Sequence, residues 1–170
     1  HYTGYLTFSI KPSGLKAADA PVRLKFTFAE VPGELNTPLE PYKGGLARSW
    51  VQDVIVTVMS VPHEMTIPRR LAGRYLKIDL LGISGSFDFV FDKLTFKTHT
   101  SVTNEAPALA STTDPLVRDI YKVGLNTLIE CMQTVYEDGP KRDRRLWIGE
   151  LYLEALSNSH SVNNHEMTKH

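Results

Sequence analysis

The first hundred residues repeat with a period of two, and that spacing restricts the chain more than any other feature. In VRLKFTF, Val22, Leu24, Phe26 and Phe28 fall on one face of an extended strand, and Arg23, Lys25 and Thr27 fall on the other. The same alternation runs through Leu6, Phe8 and Ile10, through Val54, Val56 and Val58, and through Leu76, Ile78 and Leu80. It returns in Phe87, Phe89 and Phe91. A strand with one apolar face must cover it, and several in succession predict an antiparallel β-sandwich. Turn-rich segments separate the strands, and the longest, Glu30 to Gly45, is expected as a surface excursion.

After Thr100 the pattern changes. SVTNEAPALASTT is small, polar and without period, which predicts a linker. Asp114 is then a suitable N-cap, with Pro115 at the first helical position, where its missing N–H costs nothing. Val117, Ile120, Tyr121, Leu125, Leu128, Met132 and Val135 recur every three or four residues, predicting an amphipathic helix that ends near Tyr136. A second helical pattern starts near Ile148 and carries Leu151, Leu153, Leu156 and Val162. The expected organisation is a sandwich over 1–100, a linker over 101–113 and a helical region over 114–170. Two helices cannot bury a core alone, so the helical part is expected to open a larger domain. With no initiating Met, the chain reads as a segment of a longer protein.

The totals exclude several functions. Of 170 residues, 42% are hydrophobic and 22% charged, as in soluble globular domains. Lys and Arg together number 19, as do Asp and Glu, so no excess charge draws the chain to nucleic acid or an anionic membrane. The single cysteine, Cys131, rules out an internal disulfide and any multi-cysteine metal site, and its helical setting predicts a buried thiol. No metal and no cofactor are expected. His160, His165 and His170 lie five apart, which on a helix turns successive side chains by roughly 140° onto different faces. HEMTKH also misses the i, i+4 spacing of a zinc protease motif. No G-x-S-x-G elbow, phosphate loop or dinucleotide fingerprint is present. Arg69, Arg70 and Arg74 in RRLAGRY are expected on the solvated face of a sheet.

EDGPKRDRRLWIGE, Glu137 to Glu150, concentrates carboxylates, arginines and a tryptophan around a Gly-Pro break. Carboxylates accept bonds from sugar hydroxyls and can protonate a leaving oxygen, and an indole stacks on a pyranose face. A solvated loop between two helices would have a similar composition.

The order of residues in DGPKRDRRLWIGE resembles the signature of bacterial α-L-rhamnosidases, which are helical-barrel glycosidases. That pattern runs Asp, Pro, Arg, an acid, Arg, Trp, Gly and Asp. Here it meets Asp138, Pro140, Arg142, Asp143, Arg144 or Arg145, Trp147 and Gly149. MTIPRRLAGRYLKIDLLG is similar to the arginine-tyrosine strand of the sandwich that precedes the barrel in these enzymes. The resemblance implies an antiparallel β-sandwich followed by the first helices of an (α/α)6 barrel. It also implies inverting hydrolysis of terminal α-L-rhamnosides, with a rhamnose-containing glycan or glycoside as partner.

By the same resemblance, Asp143 would be the general acid, Asp138 and Arg142 would hold sugar hydroxyls, Trp147 would wall the site and Glu150 would bind a hydroxyl. The general base would be a Glu late in the barrel, outside these residues, so the segment alone would be inactive. Glu150 stands where the family has Asp, and Arg144 where many members have Glu. These departures carry an alternative: a carbohydrate-binding or scaffold protein of the same fold with lost or altered catalysis.

Overall fold

The structure is a computed structural model that describes residues 1–19, 21–37, 39–45 and 53–169. It divides into two compact units, His1–Thr98 and His99–His170.

The first unit is a sandwich of two antiparallel sheets. In one, β1 (Tyr2–Ser13) pairs along its length with β7 (Asp88–Thr98). Its other edge pairs with β4 (His63–Thr66) and then β5 (Leu71–Gly73). In the other sheet β2 (Val22–Ala29) lies between β3 (Asp53–Val58) and β6 (Tyr75–Gly82). Side chains at alternate positions meet between the sheets: Leu6, Phe8 and Ile10 of β1 face Val22, Leu24, Phe26 and Phe28 of β2. The Phe8 and Phe26 rings lie 5.0 Å apart at the centre. Gly4 lets β7 pass close by, since a Cβ there would stand 2.0 Å from the Lys97 carbonyl oxygen.

The alternation holds on β1 and β2 and weakens on the edge strands. Leu80 and Phe91, expected in the core, are exposed on β6 and β7, which are the outer strands of their sheets among the described residues. The β1–β7 register shifts between Ser9 and Ile10, the mark of a bulge, and places Leu94 and Phe96 on the inner face after Phe91. Two further strands, β4 and β5, were not evident from period. They are short, and Pro68-Arg69-Arg70 interrupts them, although the Ile67 N–H still donates to the Leu6 carbonyl at 2.9 Å. Within the excursion expected at Glu30–Gly45, Pro32–Leu35 forms the one-turn helix α1, and position 38 lies outside the described residues.

The second unit is helical, with α2 (Pro115–Cys131), α3 (Ile148–Ser159) and the short α4 (His165–Thr168). Asp114 caps α2 as its sequence position implies, accepting from the Leu116 N–H at 2.8 Å. The helix stops at Cys131, earlier than the expected Tyr136. The stop has local causes: Thr100 Oγ1 donates to the Ile129 and Met132 carbonyls, and Gln133 Nε2 donates to the Glu130 carbonyl. These partners take the carbonyls that a further turn would have used. Val162 is buried but lies beyond the end of α3. Val117, Ile120, Leu153 and Leu156, expected on apolar faces toward a core, are exposed in this chain. Residues 99–113 run along the helices, where Val102 and Ala106 pack against the small core of Leu128, Met132, Tyr136, Val162 and Met167.

Candidate active site

The loop joining α2 to α3 is rooted in buried polar groups. Gln133 is sealed from solvent and bonds His99 twice, its Oε1 to the ring Nδ1 at 2.9 Å and its Nε2 to the carbonyl at 2.9 Å. Tyr136 is buried too. Its hydroxyl accepts from Asn158 Nδ2 at 2.7 Å and meets Thr168 Oγ1 at 2.8 Å. The Glu137 N–H donates to the Cys131 carbonyl at 3.0 Å. The chain therefore enters the loop held on α2, α3 and α4 at once, which fixes the first carboxylates relative to α3.

Asp138 closes the loop. Its N–H donates to the Arg145 carbonyl at 3.0 Å, and its Oδ1 accepts the Arg145 N–H at 3.2 Å. Its Oδ2 accepts the Trp147 indole N–H at 3.1 Å. Each oxygen keeps acceptor capacity for one more donor. Inside the closure, the Gly139 carbonyl accepts the N–H groups of Arg142 and Arg144, both at 3.2 Å, and Pro140 is buried. This tight turn holds Arg144 at φ 55°, a left-handed conformation that costs a non-glycine residue about 1 kcal/mol.

The turn brings Arg142 and Asp143 together. Arg142 Nε stands 3.1 Å from Asp143 Oδ1, close enough for an ion pair but not aligned as a hydrogen bond. The Asp143 side chain is only 8% exposed, whereas Arg142 is open to solvent. Trp147 is 47% exposed and precedes the first turn of α3, where Glu150 is exposed. The five residues singled out from the sequence thus form two contacts, Asp138 with Trp147 and Arg142 with Asp143. Glu150 stands on α3 without a hydrogen bond to either.

Glu154 was missed. It lies four residues beyond Glu150 and seven beyond Trp147, so all three share a face of α3. Burial, and then the negative charges of Glu150, Asp138 and Glu137, push its carboxyl up to about 7. Its Oε2 is sealed from solvent and has no hydrogen-bond partner. Within LYLEALS it reads as an ordinary exposed helix charge, and only its spacing from Glu150 hints otherwise. Glu154 also borders a cavity of about 440 Å³ between α2 and α3, shared with Tyr121, Leu128, Cys131 and His160. Cys131 is a free buried thiol pushed up to about 12, by burial first and then by Glu154, Glu137, Asp138 and Glu130.

Among the described residues no group of three or more His, Cys, Asp or Glu could hold a metal ion, and His170 of the histidine trio lies outside them. No described helix is long and apolar enough to cross a membrane.

Comparison with known proteins agrees with the order of the elements. Residues 1–98 match the model of the glycosyl hydrolase family 78 α-rhamnosidase N-terminal domain. The whole chain is similar to a rhamnosidase from Klebsiella oxytoca with rhamnose bound, at 41% identity and a TM-score of 0.90. That match covers 98% of this chain and 32% of the Klebsiella protein. The family 78 rhamnosidase of Bacillus sp. GL1 shares the fold, with a TM-score of 0.72 at 17% identity over 98% of this chain and 16% of that one. No curated protein matches the chain. With a family model matching residues 1–98 and 41% identity to the Klebsiella rhamnosidase over 98% of this chain, the chain belongs to glycosyl hydrolase family 78, the α-rhamnosidases.

Proposed function

We propose that this chain is part of a glycoside hydrolase that removes terminal α-L-rhamnose from a glycan or glycoside with inversion. Residues 114–170 would open its (α/α)6 catalytic barrel. Asp143 is the general acid that protonates the leaving oxygen, while Asp138 and Arg142 hold the sugar hydroxyls. Trp147 forms an apolar wall, and Glu150 takes a further hydroxyl. The attacking water is activated by a second carboxylate on the opposite side of the ring, supplied from beyond these residues.

The observation that carries this reading is the state of Asp143. A carboxyl shielded to 8% exposure, steered by the Arg142 guanidinium at 3.1 Å, sits in a loop whose closure also fixes an indole. Shielding from water matters because a general acid must hand its proton to the leaving oxygen and not exchange it with solvent. Replacing Asp143 with Asn in the intact enzyme is expected to lower kcat on an aryl α-L-rhamnoside by about a hundredfold or more. Near-normal turnover would remove Asp143 from the role.

A second reading is a sugar-binding protein of the same fold without this activity. The engagement of Asp143 Oδ1 by Arg142 favours it, because a proton donor must offer an oxygen to the substrate. Rhamnoside binding by calorimetry with no product released is its expected signature, and a panel of aryl glycosides separates it from an enzyme acting on another sugar.

A further inference from the structure

Among the described residues, β6 and β7 are the outer strands of their sheets and leave an opening between them. At one end of that opening lies a groove of about 240 Å³, built by the crossing of the chain from one sheet to the other. β5 ends at Gly73 in the first sheet and β6 begins at Tyr75 in the second, with Arg74 alone between them. The crossing is pinned by the Arg74 N–H, which donates to the Ala29 carbonyl at 2.8 Å. Gly73 pairs with Tyr2 across the β1–β5 ladder, and a Cβ there would crowd the Ala29 carbonyl oxygen at 3.1 Å.

The groove has an apolar floor and a polar rim. Leu6, Phe28 and Phe96 form the floor, the two rings 6.2 Å apart. On the rim stand Tyr2, 61% exposed, and Tyr75, whose ring carries the Arg74 guanidinium 5.6 Å from its centroid. Apart from that ring contact, the Arg74 side chain and the two tyrosine hydroxyls have no hydrogen-bond or ion-pair partner among the described residues.

We propose that this groove is a second carbohydrate site, which takes one neutral pyranose ring. A pyranose has an apolar C–H face and a rim of hydroxyls, and the groove offers the complement of both. The ring lies on the aromatic floor, and the Arg74 fork and the tyrosine hydroxyls bond its hydroxyls. Other occupants fit less well. An extended peptide would need free backbone groups, but the Arg74 N–H is taken and Tyr2 is already paired with Gly73. An anion such as phosphate is gripped by several convergent donors, and the rim has one cation. The proposal concerns the sandwich alone and does not depend on the role given to Asp143.

The test is a titration of the isotopically labelled 170-residue chain with methyl α-L-rhamnoside and methyl β-D-glucoside, followed by backbone amide resonances. Saturable shifts are expected at Gly73, Arg74, Tyr75, Leu76 and Phe96 with at least one of the two. Arg74→Ala and Tyr75→Ala should each weaken binding there by about tenfold, the scale of one charge-assisted bond or one ring contact. Arg74 is exposed, so its replacement leaves the fold intact and the rest of the spectrum unchanged. Shifts confined to residues 138–150 would overturn the groove and leave the loop reading standing. Silence at the groove with both sugars would overturn it as well, as would binding of glucuronate in place of the neutral glycosides.

Discussion

The sandwich and the helical unit bury different kinds of side chain. Between the two sheets, Phe8, Ile10, Val22 and Phe26 are wholly apolar and wholly sealed. In the helical unit the sealed positions include Gln133, Glu137 and Asn158, while Val117, Ile120, Ile148 and Leu153 face outward. Apolar burial is non-directional and scales with area, so the sandwich draws its stability from how much it covers. Buried hydrogen bonds are directional and costly when broken, so the helical unit gains position more than stability from its interior. That difference fits their places in the proposed enzyme, since the loop that has to hold Asp138 and Asp143 in register grows out of the polar interior.

The contrast can be broken by mutation, beginning with the largest effect. Phe26→Ala removes a fully buried ring from the centre of the sandwich, and about 3–5 kcal/mol of that unit's unfolding free energy should go with it. Denaturant unfolding followed by amide signals from β1 and β2 measures the loss. A cost below about 1 kcal/mol would mean that the sandwich core is not close-packed and the comparison fails on that side. Asn158→Ala should cost less, about 1–3 kcal/mol, because it takes one of two partners from the Tyr136 hydroxyl and unpairs the Asn164 backbone N–H. The sharper effect should be on position: amide shifts are expected to spread through residues 133–147, along the root of the loop. Shifts that stay local to α3 would show that the polar interior does not set the loop.

How much of this was legible in the sequence follows from the same difference. Period two gave the inward faces of β1 and β2 residue by residue, because a buried central strand must alternate. It overshot at Leu80 and Phe91, whose inward direction is right but whose strands are the outer ones of their sheets among the described residues. In the helices, period could not see the stop at Cys131, since the groups that cap it, Thr100 and Gln133, are distant from the periodic positions or look like ordinary polar residues. The loop was recognisable from its residue order, not from any physical pattern. Its internal bonds, above all Asp138 to the Trp147 indole, required coordinates. Glu154 was invisible for a simpler reason: one glutamate on a helix carries no mark of what its neighbours do to it.

Glu154 therefore offers the finest test of the helical unit. Folded, its carboxyl keeps the proton up to about pH 7, whereas in the unfolded chain it gives the proton up near 4.5. The folded state binds more protons between those values, so this group's contribution is full below about pH 4.5 and is lost as pH rises through 7. Glu154→Gln removes the titration while keeping the shape. The variant should then gain about 1–2 kcal/mol relative to the native protein between pH 4.5 and 8, after allowance for the half-exposed setting of the group. Unfolding curves of the two proteins at a series of pH values provide the measurement, and the spread between them should open with an inflection near 7. The direction also bears on the site. If the gain appears, Glu154 is neutral below about pH 7 and adds no negative charge to the face of α3 that carries Glu150. Parallel curves would mean that solvent reaches Glu154 freely, and the polar interior would then stop short of the α3 face.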